Sequence, residues 1–450
     1  MNEWELAEHV LAHCRQQKAE AEVFIQRSRS TCIEVKDQKL QTFKLADDEG
    51  IGLRVITNRQ QGFAFRTDCS KKNIDSLILS AVAVAQYTQA DEHFVLPAPP
   101  AAYPEVDCFD PQLDNVSVRD KIGRTMAVEQ AAYNYDPRIK RIRQVLYKDI
   151  QYQAWVANTS GIRVDNHGSQ CAVSTLVIAE DNGEAQVGWE MDNSHTYAGL
   201  KSADYIGQEA ARRAVEMLGA RQIPTRRSWV VMDPNVFTDF LGMIAAAFSA
   251  YEVQKGKSLL AGKLGSQVAS PHLTLVDDGL CMQGMSTALA DGEGVPTSRT
   301  VLIEQGRLTN YLHNTYTAHK EGIASTGNGM RDDFKQPPGV GITNLYIEPG
   351  STSRQELLAQ TQAGLYISNA MGTHTIDAVS GDYSVGASGY WVEQGEFTHP
   401  VRGVVISGNI LDLFQNIDLI ADDLRFVGAI GAPTVRFCDI MISGTSHGLA

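Results

Sequence analysis

His9 and His13 stand four residues apart, a spacing that could hold a metal ion on one face of a helix. A hydrolytic zinc site also needs a third ligand and a placed general base. At about 100° per residue, both imidazoles fall away from the face made by Trp4, Ala7, Val10, Leu11 and Cys14, so they read as solvent-facing. Gly444-Thr445-Ser446-His447-Gly448 spells G-x-S-x-G. A nucleophile elbow requires a helix behind the serine and an acid and a histidine later in the chain; the sequence stops at Ala450, so this reads as a flexible tail. Gly292-Glu293-Gly294 and Gly339-Val340-Gly341 lack the third glycine of a dinucleotide fingerprint, and no G-x-x-x-x-G-K-[ST] occurs, so they read as tight turns. His313 and His319 lie close to Tyr311 and Tyr316 without a fixed third ligand, and neither H-E-x-x-H nor H-E-x-x-x-H is present. Residue types and spacing alone define no catalytic centre.

The scaffold that would position any site is large. At 450 residues the chain is long enough for two or three domains, with 43% hydrophobic and 20% charged residues, ordinary for a globular protein. Its 39 basic and 53 acidic residues give a net charge of −14, which with no concentrated basic run argues against nucleic acid as a partner. No apolar run reaches the ~18 residues of a membrane span, and the start Met1-Asn2-Glu3-Trp4-Glu5 is acidic where a signal peptide is basic. Seven scattered cysteines without C-x-x-C fit reduced thiols in the cytoplasm.

Periodicity predicts an α+β protein: two small α/β segments, antiparallel sheets with helices, then a larger, mainly antiparallel β domain. The first segment, 1–96, has a helix carrying Trp4 to Cys14, strand-like runs at Glu22–Gln26, Thr31–Val35, Gly52–Ile56 and Gly62–Arg66, and a helix through Ile74 to Ala85. Residues 97–107 form a proline-rich linker. The middle segment, 108–222, repeats the order: a helix near Val118–Tyr135, runs around Ile139–Tyr147, Gln151–Ala157, Ser174–Ala179 and Ala185–Met191, and a helix capped by Ser202 and ended by Gly219. The last segment, 223–450, is glycine-dense, with Gln305-Gly306 and Gln394-Gly395 as hairpin turns and one clear helix from Asp233 to Tyr251.

Several runs in this last segment, in order, resemble the TldD/PmbA family. They are Lys255-Gly256-Lys257-Ser258, Gly262-Lys263-Leu264-Gly265, Asp291-Gly292-Glu293-Gly294-Val295-Pro296, Ser325-Thr326-Gly327-Asn328-Gly329, Ser380-Gly381-Asp382-Tyr383-Ser384 and Gly389-Tyr390-Trp391-Val392-Glu393. The resemblance implies a cytoplasmic protease built from two related subunits that degrades unfolded or leader peptides in an enclosed chamber. Its catalytic subunit carries H-E-x-x-x-H shortly before the K-G-x-S run. Counting back from Lys255 puts that motif on Leu241 to Ala246, where Leu241, Gly242 and Ala246 stand at the motif positions. A further cysteine ligand of the catalytic subunit falls in a loop that is short here, around Gly428–Pro433, and its role is not carried over to Cys438.

The resemblance therefore implies the family's non-catalytic type, with no catalytic or metal-binding residue and no cofactor in this chain. Its expected partners are a TldD-like catalytic subunit holding the zinc, or a second copy of itself, together with unfolded peptide. Asp291, Glu293, Ser325, Asn328 and Arg331, in the family-like turns, are the candidates for chamber or substrate contact; as polar turn residues they also suit loop capping. Two alternatives stand beside this reading: an autonomous metallohydrolase with ligands from His313, His319 and Asp291, and a homodimeric peptide-binding scaffold.

Overall fold

The computed structural model describes residues 2–68 and 70–444; Ser446 and the rest of its five-residue motif after Gly444 lie outside them. Asn2 caps the first helix, α1 (Glu3–Gln16), by accepting from the Glu5 N–H, while the Glu5 carboxylate accepts from the Asn2 N–H. Three strands follow, β1 (Glu20–Lys36), β2 (Lys39–Thr57) and β3 (Gln60–Arg66), then α2 (Lys71–Ala85). The order repeats as α3 (Val118–Tyr135), β4 (Ile139–Asn158), β5 (Arg163–Asp181), β6 (Glu184–Ser194) and α4 (Ala203–Glu216). The first two strand-like runs of each segment, expected as separate pieces, are fused, while the later runs fall in separate strands. Thus Glu22–Gln26 and Thr31–Val35 belong to one strand, because β1 is hydrogen-bonded on both sides and its polar centre, Arg27 to Ser30, needs no apolar partner to stay in the ladder.

The six strands lie in the order β3-β2-β1-β4-β5-β6, all antiparallel. β1 and β4 pair from Glu22↔Asn158 to Val35↔Val145, so both segments share a single sheet. All four helices cover one face: Val23, Ile25, Leu53 and Trp155 pack beneath α1 and α2, and Ile33, Tyr147, Val173 and Val177 beneath α3 and α4. The two units repeat one packing device. A Cβ on Gly62 would lie 2.0 Å from Ala81 O, and one on Gly188 would lie 2.0 Å from Ala210 O, so in each unit a strand glycine lets the closing helix approach its strand. The opposite face, with Phe24, Ala154, Val156 and Val164, packs on Ala290 and Phe334 of the last segment.

That segment begins with β7 (Arg226–Met232), α5 (Pro234–Ile244) and α6 (Ala250–Gln254). It continues through β8 (Leu275–Asp278), β9 (Arg299–Glu304), β10 (Arg307–Leu308), α7 (Thr315–Glu321), β11 (Gly329–Met330), β12 (Gly339–Val340), β13 (Leu345–Ile347) and α8 (Arg354–Ala359). The remainder is β14 (Ala363–Met371), β15 (Asp382–Glu393), β16 (Glu396–Asn409), α9 (Ile410–Gln415), β17 (Ile417–Ile420), β18 (Arg425–Val427), β19 (Ile430–Ala432) and β20 (Val435–Ser443). One sheet runs β16-β15-β14-β7-β20-β17, and an added β16–β20 pairing closes five of its strands into a ring; another runs β10-β9-β8-β13-β19-β18. Parallel pairs, β14 with β7 and β13 with β19, interrupt the otherwise antiparallel pattern. Both expected hairpin turns form, with positive φ at Gln305, Gly306, Gln394 and Gly395. The core centres on α5, where Phe237 meets Phe437 edge-on with ring centroids 5.3 Å apart and Phe240 meets Tyr383 at 5.6 Å.

Candidate functional site

Asp233 caps α5 by accepting from the Asn235 N–H at 3.1 Å, and Pro234 occupies its first turn, as the sequence predicts. The single helix expected from Asp233 to Tyr251 is instead broken. α5 ends at Ile244, Ala245–Phe248 form a 3₁₀ turn, and Ser249 is extended, because Leu312 donates to Phe248 O and accepts from the Ala250 N–H. Leu241 points into the core with no exposed surface, and Ala246 falls in the 3₁₀ turn. A Cβ on Gly242 would lie 3.0 Å from Ile430 Cδ1, on the tight hairpin between β18 and β19. Zinc takes nitrogen, sulfur or oxygen donors at roughly 2.0–2.3 Å. Leu241, Gly242 and Ala246 supply none, so these residues do not fit that ion.

A cleft of about 580 Å³ opens beside the first half of α5. Asn235 and Asp239 form its α5 side, and its far wall is the underside of β6, where Val187 and Trp189 are 49% and 37% exposed. The Asn235 side chain is buried, yet among the described residues neither its amide oxygen nor its nitrogen has a partner. Ser368 to Met371 of β14 make the third side. β14 pairs with β7 only from Gly364↔Trp229 to Ile367↔Met232; there the chain turns away into α5, with the Asp233 N–H donating to Ile367 O. The α5-side edge of Ser368–Met371 therefore extends past the end of β7, and Met371 beside it is 62% exposed.

The five candidate polar residues lie elsewhere: Asp291, Glu293 and Arg331 meet at the contact between the N-terminal sheet and the last segment, whereas the hydrogen bonds of Ser325 and Asn328 run within the last segment. Glu22 and Arg54 face each other across β1 and β2, and Arg54 Nη2 donates to Glu22 Oε2 at 2.6 Å and to Glu293 Oε1 at 2.9 Å. Arg331 pairs with Glu22, donates to Gly292 O at 2.8 Å and Gln336 O at 2.9 Å, and stacks over Phe24. Glu293 Oε2 accepts from the Thr315 N–H at the start of α7. Asp291 accepts from the Glu293, Val295 and Gly329 N–H groups. Asp291, Glu293 and Asn328 are buried, and so is the Arg331 side chain. Asn328 donates to Asp277 Oδ2 and Gly341 O, while Ser325, only half-buried, donates to His313 O. Asp291 and Arg331 also reach an adjoining cavity of about 280 Å³ whose wall includes Phe24, Tyr152, Asn166 and Gln170.

The electrostatics follow from burial. Desolvation lifts the Asp291 carboxyl well above its ordinary range, the Glu293 charge lifts it further, and the three N–H donors only partly offset them. With Asp291 protonated, two glutamates face two arginines. Burial lowers Arg331, as does Arg54 beside it, against the pull of the carboxylates; for Arg54 the same penalty is outweighed by Glu22 and Glu293, and its pKa rises. Burial also takes Asp277 to about 6, against hydrogen bonds from Thr343 and Asn328. Sequence reasoning missed Glu22, Arg54 and Asp277. The signal for the first two was a charge at an inward strand position between apolar neighbours, Ala21-Glu22-Val23 and Leu53-Arg54-Val55.

The residues considered for dispersed metal ligation do not converge. His313 is buried, with no partner for Nδ1 among the described residues and Nε2 3.8 Å from Glu321, His319 turns to His93, and Asp291 belongs to the buried network. Among the described residues no three His, Cys, Asp or Glu side chains gather as a metal-holding group. His9 is exposed and His13 half-buried on α1. No described helix is long and apolar enough to cross a membrane.

Three family models match in order: PmbA/TldA metallopeptidase domain 1 over residues 21–85, the central domain over 111–218 and the C-terminal domain over 225–444. The chain is 28% identical over 430 residues to the Metalloprotease PmbA of Escherichia coli O157:H7, covering 94% of this chain and 92% of that protein. It is 29% identical to a metalloprotease of Methanothermobacter thermautotrophicus, covering 93% and 94%. A Thermotoga maritima structure, described as a candidate modulator of a DNA gyrase, superposes with a TM-score of 0.92 at 28% identity over 98% of this chain and all of that one. TldE from Thermococcus kodakarensis shares the fold, with a TM-score of 0.90 at 22% identity over 98% and 100%. The chain belongs to the PmbA/TldD metallopeptidase family, on its PmbA/TldE side.

Proposed function

We propose that this chain is the non-catalytic subunit of a cytoplasmic TldD/TldE-type metalloprotease that degrades unfolded or leader peptides. A TldD-like catalytic subunit would hold the zinc and supply the chemistry. This chain would complete the enclosure and keep a peptide extended. The observation that carries the reading is α5: at the positions where the catalytic type has its metal motif stand Leu241, Gly242 and Ala246, with Ile430 seated over Gly242. The cleft beside α5 supports a role in holding peptide. An open strand edge pairs with any extended backbone whatever its side chains, and Val187, Trp189 and Met371 offer an apolar wall.

The test is co-expression with a TldD-like subunit. The two chains are expected to copurify in equal amounts, and Trp189→Ala with Met371→Ser is expected to slow peptide digestion by the pair while leaving the association intact. Failure of the chains to associate would refute the subunit reading. Unchanged digestion by the double variant would remove the cleft from it.

A further inference from the structure

We propose that His93 and His319 form a two-histidine site for a late first-row divalent ion, zinc, nickel or copper(II), which fastens the loop after α2 to α7. The two Nδ1 atoms face each other at 3.3 Å, with the rings inclined at 63°. Two nitrogens bound at 2.0–2.1 Å to one tetrahedral ion stand roughly 3.3–3.4 Å apart, so the pair already has the spacing of two ligands of a single ion. Imidazole nitrogen suits these metals better than magnesium or calcium.

Both histidines sit on firm supports from different parts of the fold. On the loop, the Asp91 N–H donates to Arg59 O at 2.7 Å, and Asp91 Oδ1 accepts from the His93 N–H at 2.9 Å. Asp91 Oδ2 accepts from the Tyr316 hydroxyl at 2.8 Å, and Phe94 stacks on the Tyr316 ring at 5.2 Å. Opposite them, α7 begins with Asn314 and Thr317 in a reciprocal cap. Tyr316 and His319 lie one turn apart on α7, so the contacts that fix the loop also aim His93 at His319. His93 is half-buried and His319 exposed, so an ion can reach the pair from solvent. No third His, Cys, Asp or Glu among the described residues completes a closed site, and water would take the remaining positions.

The site is independent of the proposed protease role, because neither histidine lines the cleft beside α5. The test uses the full-length chain, stripped of metal and carrying His9→Gln and His13→Gln, which removes the other histidine pair. Isothermal titration with zinc chloride and with nickel chloride is expected to show one equivalent bound. Either metal is expected to raise the melting temperature of this protein. Loss of an outer-shell partner alone weakens metal sites about 10–100-fold, so His319→Gln or His93→Gln is expected to weaken binding at least about tenfold and to abolish the thermal shift. No binding, or binding undiminished by His319→Gln, would overturn the proposal and leave a hydrogen-bonded pair only.

Discussion

Replacing Arg54 with methionine probes the joint between the N-terminal sheet and the last segment. Arg54 is 4% exposed and is shared by Glu22 and Glu293, each with no exposed surface. Its removal leaves the buried Glu293 with no ion-pair partner among the described residues and Glu22 with Arg331 alone, and breaking a buried pair in this way costs about 3–5 kcal/mol. For a cooperative unit of about 200 residues, each kcal/mol shifts the midpoint by roughly 2–4 °C, so Arg54→Met is expected to lower it on the order of 10 °C by scanning calorimetry. The comparison is Arg29→Met. Arg29 pairs with Asp47 at a similar distance, 2.7 Å, but both side chains are more than half exposed, so solvent screens the pair and its loss is expected to leave the midpoint nearly unchanged. Adding Glu293→Gln to Arg54→Met is expected to recover part of the loss by discharging the stranded acid. Equal shifts for Arg54→Met and Arg29→Met would refute the reasoning, since burial would then carry no weight at this contact.

Arg331→Ala removes a second cation from the same cluster, so it too is expected to lower thermal stability by several degrees, read by circular dichroism melting. Gly62→Ala and Gly188→Ala each drive a methyl into a helix backbone and are expected to cost about 1–3 kcal/mol apiece in urea unfolding. Asp277 and Asp291 have folded pKa values above those of the unfolded chain. Their stabilising contribution is complete below the ordinary aspartate range and falls as pH rises, through about 6 for Asp277 and through a raised value for Asp291. Denaturant midpoints measured from pH 4 upward are expected to fall, and Asp291→Asn is expected to flatten that slope; an unchanged slope would count against a protonated Asp291.

Local chemistry was the most legible part of the sequence. Asp233 with Pro234, Ser202, and the Gln-Gly turns at 305–306 and 394–395 all act where their short-range preferences place them. What depends on distant partners was not legible. The break in the helix after Ile244 is caused by Leu312, far along the chain, which draws Ser249 into an extended conformation. The continuity of β1 and β4 likewise comes from strands on both sides supporting polar stretches that look like gaps. The repeated order of a helix, several strands and a helix could be read, but the equivalence of Gly62 and Gly188 emerges only from their matching approach to Ala81 and Ala210. The motif-bearing turns drew attention to Glu293 and Arg331 without revealing that their charges are met by Arg54 and Glu22 on the opposite sheet.

The most direct test of the central claim compares digestion of an unstructured peptide by three samples: this chain, a relative bearing H-E-x-x-x-H, and the two mixed. The account predicts no cleavage by this chain alone and cleavage that appears, or rises greatly, in the mixture and stops on adding a chelator. Chelator-sensitive cleavage by this chain alone would contradict it, because an active metal centre would then exist in a chain whose motif positions, Leu241, Gly242 and Ala246, offer no ligand.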